Sequence, residues 1–88
     1  MYQAVFSRRA QKAFLKLAKK DAERIKETIK KLSLEPRVSG TIKLTNAPVA
    51  QYRYRVGNWR ILFDIDDDGD ILEILDIRKR DEKTYHGG

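Results

Sequence analysis

Three arginines, Arg53, Arg55 and Arg60, stand close together around a Gly57-Asn58 dipeptide in this 88-residue chain. A guanidinium group is planar, permanently charged, and forks its N–H donors in a geometry that fits two phosphate oxygens at once. Arginines gathered in this way suit the binding of a polyanion and the stabilisation of charge on a phosphate. Gly57-Asn58 is also a two-residue hairpin signal, set between the alternating Tyr52-Arg53-Tyr54-Arg55-Val56 and the run Trp59 to Asp66. In that register Val56 faces Trp59, Arg55 faces Arg60 and Arg53 faces Leu62, so all three arginines share one face. Directly opposed like charges cost a few tenths to about 1 kcal/mol. Two compensations are open: Asp64 and Glu73 fall on the same face and could form surface salt bridges, or a phosphate could neutralise the cluster. The spacing favours the phosphate.

Other chemistries are poorly served. The chain has no cysteine, which excludes thiol catalysis, disulfides and cysteine-ligated zinc. Its one histidine, His86, stands beside Gly87-Gly88, a poor setting for an imidazole that must be held in a metal site or a catalytic triad. Asp64-x-Asp66-x-Asp68-Gly69 matches the opening of a calcium loop, but the twelfth position is Leu75 where a bidentate glutamate belongs. Strand patterns also flank it, so a solvated hairpin turn is the better reading. No metal and no small-molecule cofactor is expected.

The elements that must position the arginines follow from periodicity. Tyr2-Gln3-Ala4-Val5-Phe6 alternates as a short strand. Ser7 can cap a helix carrying Ala10, Ala13, Phe14, Leu17 and Ala18 at helical spacing. Asp21 is the next plausible cap, followed by a second stripe of Ala22, Ile25, Ile29 and Leu32. Pro36 ends that helix, because the residue before a proline avoids the helical region. A loop through Pro36, Gly40 and Pro48 leads to the hairpin, Asp67-Asp68-Gly69 turns again, and Ile71 to Ile77 forms the last strand. The order predicts a single α+β domain over residues 1–88, an amphipathic helical hairpin packed on a twisted antiparallel sheet. Tyr52, Tyr54, Val56, Trp59, Ile61, Phe63 and Ile65 form the core face. Leu62, Leu75 and Ile77 are expected on the arginine face, covered by a protein partner or by the C-terminal tail.

Charge supports a polyanionic partner. Met1 to Phe63 holds fifteen Lys/Arg against four Asp/Glu, whereas Asp64 to Gly88 holds four against nine. The overall charge is +6, and such a basic excess favours nucleic acid, although the helical lysines read best as a solvated face. Arg8, Arg9, Lys12, Lys16, Lys19 and Lys20 leave no room for a signal-peptide core. With no membrane-length apolar run, a cytoplasmic protein is expected.

The segment Tyr52-Arg53-Tyr54-Arg55-Val56-Gly57-Asn58-Trp59-Arg60-Ile61-Leu62-Phe63 resembles the YRxRxGxYRxxY core of RelE-type toxins. Lys43-Leu44 resembles the KL upstream of that core, and Ile77-Arg78-Lys79-Arg80 with Tyr85 resembles the family's ending. The likeness spans nearly the whole chain. It implies a fold similar to small microbial ribonucleases and a place in a toxin–antitoxin system. Such toxins cut messenger RNA in the ribosomal A site without a metal and are silenced by a cognate acidic antitoxin that wraps them.

On this resemblance Arg53 and Arg55 match the basic pair at the scissile region. Arg60 and Arg80 match arginines that stabilise the transition state and leaving group, and Tyr85 matches an aromatic that orients the substrate base. Some relatives carry lysine where this chain has Arg53 and Arg55, and an arginine cannot serve as a base. Tyr85, a carboxylate, or the RNA and ribosome remain candidates for that role. ParE-type toxins share the fold but bind DNA gyrase, and a non-catalytic nucleic-acid-binding module is the third alternative.

Overall fold

The structure is a computed structural model that describes residues 1–45 and 49–79. In chain order the elements are β1 (Gln3–Phe6), α1 (Arg8–Leu15), α2 (Lys19–Leu34), β2 (Ile42–Lys43), β3 (Tyr52–Val56), β4 (Trp59–Asp66) and β5 (Ile71–Lys79). The five strands form one sheet in the order β1-β5-β4-β3-β2. The antiparallel expectation holds from β2 to β5. β1 instead adds to β5 in parallel, with Gln3 opposite Ile71 and Phe6 opposite Ile74, which makes the sheet mixed. A parallel neighbour needs a crossover, and the helical pair leads the chain away from β1 to the far edge.

Ser7 starts α1 as its composition suggests: its Oγ accepts from the Ala10 amide at 3.1 Å and donates to the Leu75 carbonyl at 2.8 Å. α2 begins earlier than an Asp21 cap would place it. Its N-cap is Ala18, which makes no side-chain cap bond, and Asp21 lies inside the first turn, where a carboxylate suits the positive end of the helix dipole. The segment after Pro36 is more than loop, because Ile42 and Lys43 pair with Arg53 and Tyr52.

The core lies between the helices and one face of the sheet. Ala10 of α1 and Ile25, Ile29 and Leu32 of α2 pack with Ile61, Phe63 and Ile65 of β4 and Leu72, Ile74 and Ile77 of β5. Full burial of such apolar side chains contributes roughly 1.5–3 kcal/mol each before chain entropy is counted. Tyr52 stacks on Phe63 at 5.7 Å between centroids, and Tyr54, Val56 and Trp59 pack against the same cluster.

Ile77 is therefore not on the arginine face, where strict alternation along β5 had put it. It pairs with Ile61 in the core, and the cause is a bulge. Leu62 faces Asp76 while the next residue, Phe63, faces Ile74, which leaves half-buried Leu75 without an opposite. One extra residue reverses the inside–outside phase of everything after it. Asp76 and Arg78 thereby move to the arginine face, and the Ser7 hydroxyl takes the Leu75 carbonyl.

Candidate functional site

The hairpin register is as the Gly57-Asn58 signal implies. Val56 faces Trp59, Arg55 faces Arg60, Tyr54 faces Ile61 and Arg53 faces Leu62. Gly57 has φ 57°, a left-handed conformation that glycine adopts without steric cost. A Cβ there would also lie 3.1 Å from Nη2 of Arg24, so the guanidinium of an α2 residue reaches over the turn.

Combining the β3–β4 and β4–β5 registers reveals two parallel rows on the face away from the helices. The first is Arg55–Arg60–Arg78, three arginines directly opposed across three adjacent strands. The second is Ile42–Arg53–Leu62–Asp76, one step along each strand. Adjacent strands lie about 4.8 Å apart, so the first row sets three arginines side by side on neighbouring strands. Arg53 and Arg60 are half-buried, whereas Arg55 and Arg78 are exposed.

The salt-bridge compensation through Asp64 and Glu73 is not made by the described residues. Those two face each other, but the Asp64 carboxylate accepts from the Gln51 amide at 2.7 Å. The acid that does engage an arginine is Asp76. Its Oδ2 accepts from Arg78 Nε at 2.8 Å, and its Oδ1 accepts from the Ile77 amide at 2.8 Å. Sequence reasoning missed both Asp76 and Arg78 as part of the site. The available signal was a lone aspartate inside the apolar run Ile74-Leu75-Asp76-Ile77, but only the bulge tells which face it takes. Arg80 and Tyr85, expected from the resemblance to complete the site, lie outside the described residues, as does His86.

A second polar cluster braces the opposite end of the sheet. Arg37, just after α2, forks onto Asp67 of the β4–β5 turn at 3.1 and 2.9 Å, and Tyr2 donates to the same carboxylate at 2.6 Å. The hydrogen bonds from Arg37 and Tyr2 hold the Asp67 carboxyl below the usual carboxylate range. Accepting oxygen and negative charge at Asp67 push the Tyr2 phenol up. Two of the turn acids are thus engaged in folding: Asp66 also accepts from the Gly69 amide at 3.1 Å. Among the described residues no group of three or more acidic or imidazole side chains could hold a metal ion.

The helix side carries the other candidate surface. A groove of about 830 Å³ opens between β1 and the helices, lined by Ala4, Phe6, Phe14, Ala22 and Ile29 and by three lysines, Lys19, Lys26 and Lys30, against one acid, Glu23. Leu15 lines it while 82% exposed, and β1 beside it is a sheet edge. No helix among the described residues is long and apolar enough to cross a membrane.

This fold is that of the RelE toxins. Isolated E. coli RelE superimposes with a TM-score of 0.81 at 20% identity, over 99% of this chain and 93% of that one. A chain of the RelBE2 toxin–antitoxin complex of Mycobacterium tuberculosis matches at 26% identity and a TM-score of 0.79, over 90% and 98%. A chain of the archaeal RelE–RelB complex of Pyrococcus horikoshii matches at 25% and 0.78, over 92% and 97%. A comparison with the curated proteins finds no match. Residues 4–84 match the family described as "ParE toxin of type II toxin-antitoxin system, parDE". The chain belongs to that family, and so is a type II toxin of the RelE/ParE kind.

Proposed function

We propose that this toxin is a metal-independent endoribonuclease that cuts messenger RNA in the ribosomal A site and so stops translation. The observation that carries the reading is the row Arg55–Arg60–Arg78 with Arg53 beside it, on the face that the helices leave uncovered. In such a cleavage the ribose 2′-hydroxyl attacks the adjacent phosphate, a new O–P bond forms, and the bond to the 5′-oxygen breaks. Negative charge grows on the non-bridging oxygens and on the leaving oxygen. Fixed guanidinium groups stabilise that charge and hold the in-line geometry. Arg53 and Arg55 would grip the scissile region, Arg60 and Arg80 would stabilise the transition state and leaving group, and Tyr85 would orient the base. The general base is unassigned.

The partner that silences it is an acidic antitoxin in the same cytoplasm. The matching Mycobacterium tuberculosis and Pyrococcus horikoshii structures are of toxin–antitoxin complexes. Here the apolar groove with its lysines and adjoining strand edge suits an amphipathic acidic segment, since an edge strand accepts further backbone hydrogen bonds.

A second reading has its own support, because the matching family description is that of a ParE toxin. On that reading the protein inhibits DNA gyrase and cuts no RNA. Primer extension on a messenger bound to purified ribosomes, run beside a gyrase supercoiling assay, separates the two. Discrete cuts that require the ribosome support the nuclease. An intact messenger with blocked supercoiling overturns it in favour of gyrase inhibition.

A further inference from the structure

Arg78 differs from the other arginines of the outer face in being held. Its Nε donates to Asp76 Oδ2 at 2.8 Å, and the Asp76 side chain is only 8% exposed while that of Arg78 is 48% exposed. The second Asp76 oxygen is occupied by the Ile77 amide, so the carboxylate cannot swing away without breaking two bonds. A guanidinium carries five N–H donors, and this pair uses the one on Nε. The Nη1 and Nη2 groups make no hydrogen bond to any described residue, and the guanidinium is anchored through the edge that leaves their fork available. A buried acid beneath an exposed arginine, at the end of a three-arginine row, is costly unless the fork has work to do. Burying a carboxylate carries a desolvation penalty, and Arg78 opposite Arg60 adds like-charge repulsion.

We propose that Arg78 is a further phosphate-binding residue of this face and that Asp76 is its positioning residue, orienting the fork toward an RNA phosphate in line with Arg55 and Arg60. This rests on the RNA-cleaving reading for the identity of the polyanion. The simpler role for Asp76, partial neutralisation of a crowded basic patch, makes the opposite prediction. If Asp76 only cancels charge, its removal strengthens RNA binding; if it positions Arg78, its removal weakens it.

The test is the affinity of the full chain for a fluorescein-labelled single-stranded RNA of about ten nucleotides, measured over a range of salt for wild type, D76N, R78A, R78K and D76N/R78A. R78A removes one phosphate contact. It should weaken binding roughly tenfold at low salt, as loss of a charge-assisted hydrogen bond does, and reduce the slope of log K against log salt by roughly 0.7. D76N should weaken binding in the same direction and add nothing in the R78A background, and R78K should restore the slope but not the full affinity. Tighter binding by D76N, or an R78A slope equal to wild type, overturns the inference. Because D76N alters a buried group and can fail to fold, R78A decides whether Arg78 binds phosphate, and R78K, which keeps the charge without the Nε–H that Asp76 holds, decides the positioning: wild-type affinity in R78K overturns it. Wild-type cleavage of ribosome-bound messenger is scored on the same preparations. Cleavage with an unchanged R78A slope defeats this inference alone; the expected slopes without cleavage defeat the nuclease reading alone; no salt-dependent binding by wild type defeats both.

Discussion

On the helix side of the sheet, Ile61, Phe63, Ile65, Leu72, Ile74 and Ile77 are buried beneath α1 and α2. The other side holds Arg53, Arg55, Arg60 and Arg78 half-buried or exposed, with two arginine–arginine oppositions and, among the described residues of that face, the one ion pair Arg78–Asp76. These helix-side positions are apolar and buried throughout, whereas the other face sets arginines opposite one another, which is destabilising, around a buried Leu62. Because one set of strands carries both, a residue's face can be read from its parity along the strand until a bulge reverses it. The two proposed roles also separate: nucleic-acid chemistry on the arginine face, partner recognition in the groove by β1.

The sharpest way to break this separation is through the layer both sides share. Phe63 is fully buried, and Phe63→Ala should destabilise by about 3–5 kcal/mol, seen as a lower midpoint in urea and loss of both RNA and antitoxin binding. If either function survived at full strength in a destabilised protein, that face would not depend on the common core. Leu15→Asp puts a charge into the groove. It should weaken antitoxin capture about tenfold or more in a pull-down titration and leave cleavage untouched, since Leu15 lines the groove on the helix side and the arginine rows lie on the other face of the sheet. Equal loss of both would contradict the separation.

Smaller effects sharpen it. Ser7→Ala removes a helix cap and the donor to the bulge carbonyl; a loss of about 1 kcal/mol in chemical denaturation is expected. Arg55→Ala should instead leave stability unchanged or raise it by a few tenths of a kcal/mol, because it relieves the opposition to Arg60. A loss near 2 kcal/mol would show that the cluster stabilises the fold. The Arg37–Asp67–Tyr2 brace predicts a pH effect. Asp67 titrates lower in the folded chain than in the unfolded one, so its contribution is present above about pH 4 and is lost as pH falls through the lowered native value. Asp67→Asn should therefore flatten the acid limb of the stability curve measured between neutral pH and about pH 2. An unchanged acid limb would mean that this exposed cluster adds nothing.

Much of this is legible in the sequence. Gly57-Asn58 sets the β3–β4 register because a two-residue loop leaves no freedom in pairing, and Arg53, Arg55 and Arg60 followed onto one face. The Ile25, Ile29 and Leu32 stripe and the Ser7 cap were equally direct. The parallel pairing of β1 was not, since alternation in Gln3–Phe6 says which side chains point inward but nothing about the neighbour's direction. The two-residue β2 is too short for a period. The bulge at Leu75 left no mark in Ile71–Lys79, where nearly every residue suits a strand in either phase. Asp76 and Arg78 were missed for that one reason.

The central claim is that the arginine row performs RNA cleavage and does not merely bind RNA. The most direct test is single-turnover cleavage of a ribosome-bound messenger by wild type and Arg60→Ala, with ribosome binding measured on the same samples. The expected result is a fall in rate of about 10²–10³ with binding changed far less. A cleavage rate that falls only in proportion to binding, or no cleavage by wild type at all, would contradict it.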